Sequence, residues 1–383
     1  MKRIYLDFAG ATPVDPRVVK EVSQLLERVY GNALAPYEEG LRAKEVCEGA
    51  RQRIARSFGV RTEEIVFTSG GTESNNLAIL GAVRARQESG VALNDMHIIT
   101  SAIEHASVRE PIRMLKARGV EVSEVSVRSD GRVDPKEVVR HLTDKTVLVS
   151  IMYANNEIGV IEPIREIAHQ VKTHGPKHLL VHTDLGQAPF FEKLSPHALG
   201  VDLMTVDAQK LSGPKGIGAL YVKHGVLLAP LFYGGGQERG LRPGTHNPPL
   251  IAGFAKALEL LDMEREDHRN KLKKLQTYLF RRIVDDVPGA LINGSQEYRL
   301  PNNVHISLPG IDTEFLAVKL DQRGIACATK SNCLDGEVAS YVVQALGGAP
   351  GESESTLRIT FGPDFSQDMI ETFLSTLVAL MKE

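Results

Sequence analysis

Residues 64–75, EIVFTSGGTESN, contain a predicted strand, a turn and the start of a helix, and the fold of the chain can be inferred outward from them. The run from Ile65 to Thr68 is β-branched and aromatic, which favours a strand. The glycine turn that follows leads into a segment with helical spacing, 75–88. Because free N–H groups and the dipole at a helix N-terminus attract phosphate, this turn predicts a phosphate site. An ordinary strand-to-helix turn is the alternative.

Short β-rich runs alternate with helical patterns through the first two thirds of the chain. Further runs cover 97–100, 120–127, 146–152, 179–182, 203–206 and 219–222, and another helical pattern covers 107–117. Strands that alternate with helices predict an α/β domain with a largely parallel sheet covered on both faces. A long charged helical stretch, 252–284, then leads to strand-like runs at 303–308 and 357–361. This remainder predicts a smaller α+β domain.

Polar residues follow the predicted strands directly. They are Glu104-His105, Asn155-Asn156-Glu157, Asp184 with Gln187, and Lys210. Ligands of open α/β sheets bind in the crevice beyond the carboxyl ends of the strands, so these residues predict one shared site. Each of them taken alone could equally be solvated or cap a helix.

Asp184 is the most informative of these residues because it follows the apolar run Leu179-Leu180-Val181. A buried carboxylate without a partner is costly. The cationic ring nitrogen of a ligand would supply that partner. A helix N-terminus or a nearby arginine would instead make Asp184 a structural residue.

Composition narrows the classes of function. The chain has 383 residues, 42% of them hydrophobic, and a net charge of −3, so no nucleic-acid-binding surface is predicted. Three cysteines, Cys47, Cys327 and Cys333, are too few and too scattered for a disulfide framework, and no Cys/His spacing predicts a metal site. No apolar run approaches the roughly 18 residues of a membrane span, and the N-terminal segment turns acidic too soon for a signal peptide. We expect a soluble, cytoplasmic protein that binds no metal, nucleic acid or membrane.

Together these motifs resemble the cysteine desulfurases of the NifS/IscS type, in the class V aminotransferase superfamily of pyridoxal 5′-phosphate (PLP) enzymes. The matching stretches are YLD at 5–7, TSGGTESNN at 68–76, Glu104-His105, NNEIG at 155–159, HTDLGQ at 182–187, Lys210 with GPKG at 213–216, GGGQERGLRPGT at 234–245, Ser331-Asn332-Cys333 and Leu357-Arg358. The resemblance covers nearly the whole chain, in order. It implies PLP fold type I, the aspartate-aminotransferase-like fold. We expect a large PLP-binding domain at 15–255 and a small domain, 1–14 with 256–383, that carries the sulfur-transfer loop.

The resemblance also implies a reaction. Lys210 would bind the aldehyde of PLP covalently, His105 would stack on its ring, and Cys333 would take sulfur from L-cysteine as a persulfide, leaving L-alanine. A sulfur-acceptor protein, either an iron–sulfur scaffold or a tRNA-thiolation carrier, would then receive the sulfur. Another class V PLP enzyme, such as a selenocysteine lyase or an aminotransferase-like lyase, would not need Cys333. A non-catalytic scaffold would not need Lys210, and a cysteine such as Cys333 can also be a small packing residue.

The remaining implied contacts concern the cofactor and the substrate carboxylate. Asp184 would pair with the ring nitrogen, and Gln187 and Asn156 would contact the 3′ oxygen of the ring. Asn156 with Arg358 would bind the substrate carboxylate, for which a bidentate arginine is well suited. The phosphate would be bound by Gly71, Thr72, Gln209 and, from the second subunit of a homodimer, Thr245.

The segment before Lys210 departs from the family pattern. The family usually has Ser or Thr, one further residue and His before the lysine, whereas this chain has Asp207-Ala208-Gln209. A carboxylate facing a nearly dianionic phosphate would be repelled. Asp207 could turn away toward a cation, bind in its protonated form, or weaken cofactor binding. We expect the first, with Arg239 or Arg242 as the cation, so that Asp207→Ser changes PLP affinity less than about tenfold.

Overall fold

A seven-stranded sheet lies at the centre of the chain. The structure, a computed structural model, describes residues 3–330 and 339–382. In chain order the strands are β1 (Ile4–Leu6), β2 (Ile65–Thr68), β3 (His97–Ser101), β4 (Glu121–Val125), β5 (Thr146–Ser150), β6 (Leu180–Asp184), β7 (Leu203–Asp207), β8 (Gly218–Val222), β9 (Leu291–Ile292), β10 (Asn303–Ser307), β11 (Ile325–Cys327) and β12 (Thr356–Thr360). The central sheet has the order β2-β8-β7-β6-β5-β3-β4. Strands β7, β6, β5, β3 and β4 run parallel, whereas β8 is antiparallel to both of its neighbours.

Helices cover both faces of this sheet. They are α1 (Pro16–Arg28), α2 (Glu38–Phe58), α3 (Gly71–Glu88), α4 (Ala106–Ala117), α5 (Pro135–Arg140), α6 (Ile164–His174), α7 (Pro196–Leu199), α8 (Pro248–Asp286), α9 (Thr313–Gln322), α10 (Tyr341–Ala345), α11 (Pro350–Glu354) and α12 (Gln367–Leu380). The α/β class and the largely parallel sheet predicted from the sequence are confirmed. In the described residues every helix is too short or too polar to span a membrane.

Burial on both faces explains the apolar strands. Every residue of β3, β5 and β8 is buried, as expected when helices cover a parallel sheet on both sides. Side chains on the two faces belong to separate apolar clusters: Val149 packs in one and Leu148 in the other. The alternation of strand side chains thus divides one apolar run between two cores.

The long helix α8 runs continuously from Pro248 to Asp286 and leads to the C-terminal strands. There, β10 pairs with β12 and β9 in an antiparallel sheet, and the N-terminal strand β1 pairs in parallel with β11. Asp7, directly after β1, forms a bridge with Thr360 at the end of β12. This long-range pairing brings the N-terminal segment beside Arg358, which lies on β12.

A buried ion pair connects α2 to the 234–245 segment. Both terminal nitrogens of Arg51 donate to Glu238, at 2.7 and 2.9 Å, and the backbone N–H of Phe67 donates to the same carboxylate at 2.8 Å. The side chains of Arg51 and Glu238 are only 7% and 2% exposed. Burial alone would raise the pKa of Glu238, but hydrogen bonds from His246 and Arg51 outweigh it and lower this pKa to about 2. The ionised carboxylate therefore stabilises this junction at neutral pH.

We expect Glu238→Gln to lower the free energy of unfolding by about 3 kcal/mol or more at pH 7, because Arg51 would remain buried without its counter-charge. The pKa of Glu238 is lowered on folding, so its stabilising contribution is present above about pH 4.5 and is lost as the pH falls toward about 2. Urea unfolding followed by circular dichroism measures the difference.

Glu48→Gln is the matched control for this substitution. Glu48 contacts the same arginine, at 3.2 Å, but is 47% exposed, so its removal should cost less than about 1 kcal/mol. Equal losses in the two variants would show that burial of the Arg51–Glu238 pair is not what matters.

Candidate active site

One cavity of about 390 Å³ opens at the carboxyl ends of the parallel strands. Most of the residues predicted for the site line it, together with several that were not predicted. The lining residues are Tyr5, Asp7, Ala9, Gly10, Ala11, Gly71, Thr72, Asn75, His105, Ser107, Met152, Ala154, Asn156, Asp184, Gly186, Asp207, Gln209, Lys210 and Arg358. Most of them lie at or just after the ends of β1, β2, β3, β5, β6 and β7, where the topology of an open parallel sheet places a ligand site, whereas Arg358 comes from β12.

Asp184, the last residue of β6, presents its carboxylate to this cavity. Its oxygens accept hydrogen bonds from the side-chain amide of Asn75, at 2.8 Å, and from the backbone N–H of Gly186, at 3.0 Å. Within the described residues, no lysine, arginine or histidine forms a salt bridge with it. His182, on the same strand, does not supply a charge, because burial lowers its pKa to about 4. Asp184 is therefore a half-buried carboxylate held only by neutral donors.

A chain of hydrogen bonds connects Asp184 to His105. Asn75 donates to both Asp184 and the hydroxyl of Ser107, each at 2.8 Å, and the Ser107 hydroxyl lies 2.7 Å from Nδ1 of His105. The backbone N–H of Ser107 also donates to this Nδ1, at 3.2 Å, so Nδ1 is an acceptor. Neutral His105 therefore carries its proton on Nε2, and its ring is oriented by the start of α4.

Lys210 follows β7 and also lines the cavity. Its amine donates to the backbone carbonyls of Ala9 and Gly10, each at 2.7 Å. The position is built by a tight turn, because the hydroxyl of Thr12 donates to the carbonyl of Gln209 and accepts from the N–H of Ser212. The N-terminal segment thereby holds the lysine amine in the cavity.

Arg358 reaches the cavity from β12 and is 2% exposed. One terminal nitrogen donates to Asp7 at 2.7 Å, and the other donates to the backbone carbonyl of Asn156 at 3.1 Å. Its Nε and the side-chain oxygen Oδ1 of Asn156 are buried without a hydrogen-bond partner among the described residues. An unpaired donor and an unpaired acceptor are therefore buried on two residues that line the cavity.

The start of α3 closes the other end of the cavity. Gly71 and Thr72 line it there, beside Asp207 and Gln209. The carboxylate of Asp207 accepts the backbone N–H of Gln209 at 3.2 Å and its side-chain amide at 2.9 Å. The cavity thus offers a helix N-terminus at one end and the lysine amine, with Asp184, farther along.

The expected pairing of Asp207 with Arg239 or Arg242 is wrong. Arg242 instead donates to Glu73, at 2.9 Å, in the first turn of α3. Arg239 lies in a tight turn with positive φ, close to the buried Glu238. Asp207 is held facing the cavity because it caps the short turn that carries Gln209 and Lys210.

Three predicted site residues lie elsewhere or outside the described residues. Gln187 does not line the cavity, since its amide donates to the carbonyl of Phe8 and accepts from Asn302. Thr245 lines a separate cavity with Thr68 and Arg242. Cys333 lies outside the described residues. The cofactor contacts assigned to these residues remain predictions.

Asn75, Ser107 and Asp7 were missed as site residues. Asn75 and Asp7 stand inside stretches that resemble the family, but no role was assigned to them. The available signal for Asn75 was a polar residue in the first turns of a helix whose buried side, apart from Ser74, is otherwise apolar. The described residues also contain no group of three His, Cys, Asp or Glu side chains placed to bind a metal ion.

The cavity suits the ring and the aldehyde of PLP. A carboxylate held only by neutral donors is available for a protonated ring nitrogen, an imidazole lies on the same hydrogen-bonded chain, and a lysine amine is available for the aldehyde. The helix N-terminus suits a phosphate. The carboxylate of Asp207 at that same end is the one feature that opposes it.

Comparisons with known proteins agree with this geometry. The family described as aminotransferase class-V matches residues 4–373. The cysteine desulfurase IscS of Dictyoglomus turgidum is 36% identical over 385 residues, covering 100% of this chain and 96% of that protein. A solved NifS-like protein superposes with a TM-score of 0.92 at 34% identity and 99% coverage of both chains. A structure described as SspA in complex with cysteine has a TM-score of 0.82 at 29% identity, covering 94% and 99% of the two chains.

Glu104, beside His105, is fully buried and generates a prediction about pH. Burial raises its pKa to about 8, although hydrogen bonds from Ser101 and Met152 act in the opposite direction. Because the folded protein keeps this proton up to about pH 8 while the unfolded chain releases it near pH 4.5, the stability that Glu104 contributes is lost as the pH rises between these values.

Glu104→Gln, which mimics the protonated acid, should therefore stabilise the protein relative to wild type by a few kcal/mol at pH 8 and little at pH 5. The free energy of unfolding at the two pH values measures this. Glu110→Gln, an exposed change on the following helix α4, should show no such trend. A gain for Glu104→Gln that does not depend on pH would contradict the assignment.

Proposed function

The chain belongs to the aminotransferase class-V family, and we propose that it is a PLP-dependent cysteine desulfurase that takes sulfur from L-cysteine and leaves L-alanine. The observation that carries the proposal is the cavity that contains both the amine of Lys210 and the carboxylate of Asp184, which forms no salt bridge among the described residues. Full-length relatives named as cysteine desulfurases and a related structure with bound cysteine support the substrate.

Different residues of the chain would contact different parts of PLP. Asp184 would face the ring nitrogen, His105 the ring, Lys210 the aldehyde, and the N–H groups at the start of α3 the phosphate. When bound, PLP supplies a ring that accepts electrons from the substrate's α-carbon. Arg358 would bind the substrate carboxylate through the same nitrogens that now contact Asp7 and the carbonyl of Asn156.

Lys210 would act as the proton carrier of the reaction. Its amine donates to two carbonyls in the cavity, which orient it. From this position it would remove the α-proton of the substrate and later return a proton to the alanine fragment. The short turn that holds it between Thr12 and Ser212 keeps the amine at one place in the cavity.

Cys333 would accept the sulfur. Its thiolate would attack the sulfur of the substrate, the carbon–sulfur bond would break with its electron pair on the alanine fragment, and the enzyme would be left with a persulfide. The other two cysteines are poor candidates, since burial raises the pKa of Cys47 and of Cys327 to about 12. The acceptor of this sulfur would be a protein, either an iron–sulfur scaffold or a tRNA-thiolation carrier.

A homodimer is part of this proposal. Thr245 lies in the 234–245 segment, outside the cavity of its own chain, so its expected phosphate contact requires a second subunit. Large apolar side chains are exposed in the single chain, among them Tyr30 at 78% and Tyr233, directly before this segment, at 73%. Such side chains are typical of surfaces that become covered on association.

Cys333→Ser should lower sulfide release from L-cysteine by roughly a hundredfold or more, since it removes the nucleophile and leaves the cofactor site intact. Cys327→Ser is the matched control and should retain activity, because Cys327 is a partly buried thiol whose pKa is raised to about 12 by desolvation. Parallel assays of sulfide and alanine, with the absorbance of bound cofactor as a check on folding, measure both variants. Unchanged alanine production by Cys333→Ser would favour a lyase of the same family instead.

A further inference from the structure

Asp207 is the feature of the cavity that the proposed function leaves unexplained. It ends β7, where it pairs with Gly218 on β8, and its carboxylate faces the start of α3. A methyl group built on Gly71 would lie 3.2 Å from Oδ2 of Asp207, and one built on Gly70 would lie 3.8 Å from the same oxygen. The carboxylate is thus placed directly against the backbone that opens the helix.

The backbone around this carboxylate is closely packed. A methyl group on Gly218 would lie 2.8 Å from the Cα of Gly70, so the turn before α3 rests on β8. Thr68 and Asp207 both pair with Gly218, from opposite sides. The helix start and the carboxylate are therefore fixed relative to each other by adjacent strands.

Among the described residues, no lysine, arginine or histidine forms a salt bridge with Asp207. Its two oxygens accept from the backbone and side chain of Gln209, and both of these donors are uncharged. Arg242, one of the two arginines expected to pair with Asp207, instead forms an ion pair with Glu73. Glu73 in turn accepts the N–H of Ser69 at 2.7 Å. In the part of the chain that the structure describes, a negative charge therefore occupies the end of the cavity where a helix N-terminus attracts anions.

We propose that the negatively charged carboxylate of Asp207 occupies this end of the cavity and weakens the binding of the cofactor's phosphate. The proposal rests on the proposed function, because it concerns the same PLP site. Like charges at close range repel in a partly buried site, and the side-chain amide of Gln209 is already engaged by the carboxylate. The phosphate then contributes little to affinity, and the protein binds PLP only modestly more tightly than pyridoxal, which lacks the phosphate.

Equilibrium titrations of the full-length protein, stripped of cofactor, with PLP and separately with pyridoxal test this proposal. The key variant is Asp207→Asn, which keeps the shape and the capping oxygen of the side chain but removes its charge. Asp207→Ser is a second variant with a smaller side chain. Asp144→Asn is the matched control for net charge, since Asp144 is exposed and precedes β5, at the opposite edge of the sheet.

We expect Asp207→Asn and Asp207→Ser to tighten PLP binding by about tenfold or more, roughly 1.4 kcal/mol for each factor of ten. Pyridoxal binding should stay within about threefold of wild type in the same variants, and Asp144→Asn should change neither ligand. The ratio of the two affinities in each protein is the decisive quantity, because a general loss of folding would weaken both ligands together.

Unchanged or weaker PLP binding in both Asp207 variants, with pyridoxal still bound, would overturn this inference while leaving the proposed function intact. An equal gain for PLP and pyridoxal would also overturn it, since the effect would not involve the phosphate. Failure of the wild-type protein to bind either ligand would overturn the proposed function and this inference together.

Discussion

The site depends on one electrostatic constraint, the placement of the Asp184 carboxylate at the end of the largely buried strand β6. Burial makes such a charge costly unless donors surround it. Asn75 and Gly186 supply neutral donors, and Asn75 extends the contact through Ser107 to His105. These donors stabilise the carboxylate, but among the described residues no cation pairs with it. The cavity can therefore accept a cationic group, such as the protonated ring nitrogen of PLP.

Residues that directly follow parallel strands could be predicted from the sequence. His105, Asn156, Asp184 and Lys210 meet in one cavity because the carboxyl ends of neighbouring parallel strands lie at one edge of the sheet. The predicted strands agree with the structure within about two residues, since apolar β-branched runs covered on both faces leave few alternatives. The predicted domain boundaries and the cofactor contacts of single residues remain predictions.

Contacts that depend on long-range packing could not be predicted in the same way. Asp7 reaches Arg358 only because β1 pairs with β11, more than 300 residues later in the chain. The predicted orientation of Asp207 was wrong, because charge alone does not determine where this side chain points. Hydrogen bonds from its near neighbour Gln209 hold the side chain toward the cavity, whereas Arg242 is taken by Glu73. The hydrogen bonds from Gln209 thus determine the orientation of Asp207, rather than an ion pair with an arginine that is distant in the sequence.

The most direct test of the central claim is to reduce the protein with borohydride in the presence of PLP and map the modified lysine by peptide mass spectrometry. PLP should be trapped on Lys210, because the amine of Lys210 lies in the cavity with Asp184 and His105. Lys215, which is exposed in the glycine-rich loop that follows, should remain unmodified. Trapping on Lys215 or another lysine, with Lys210 unmodified, would contradict the account.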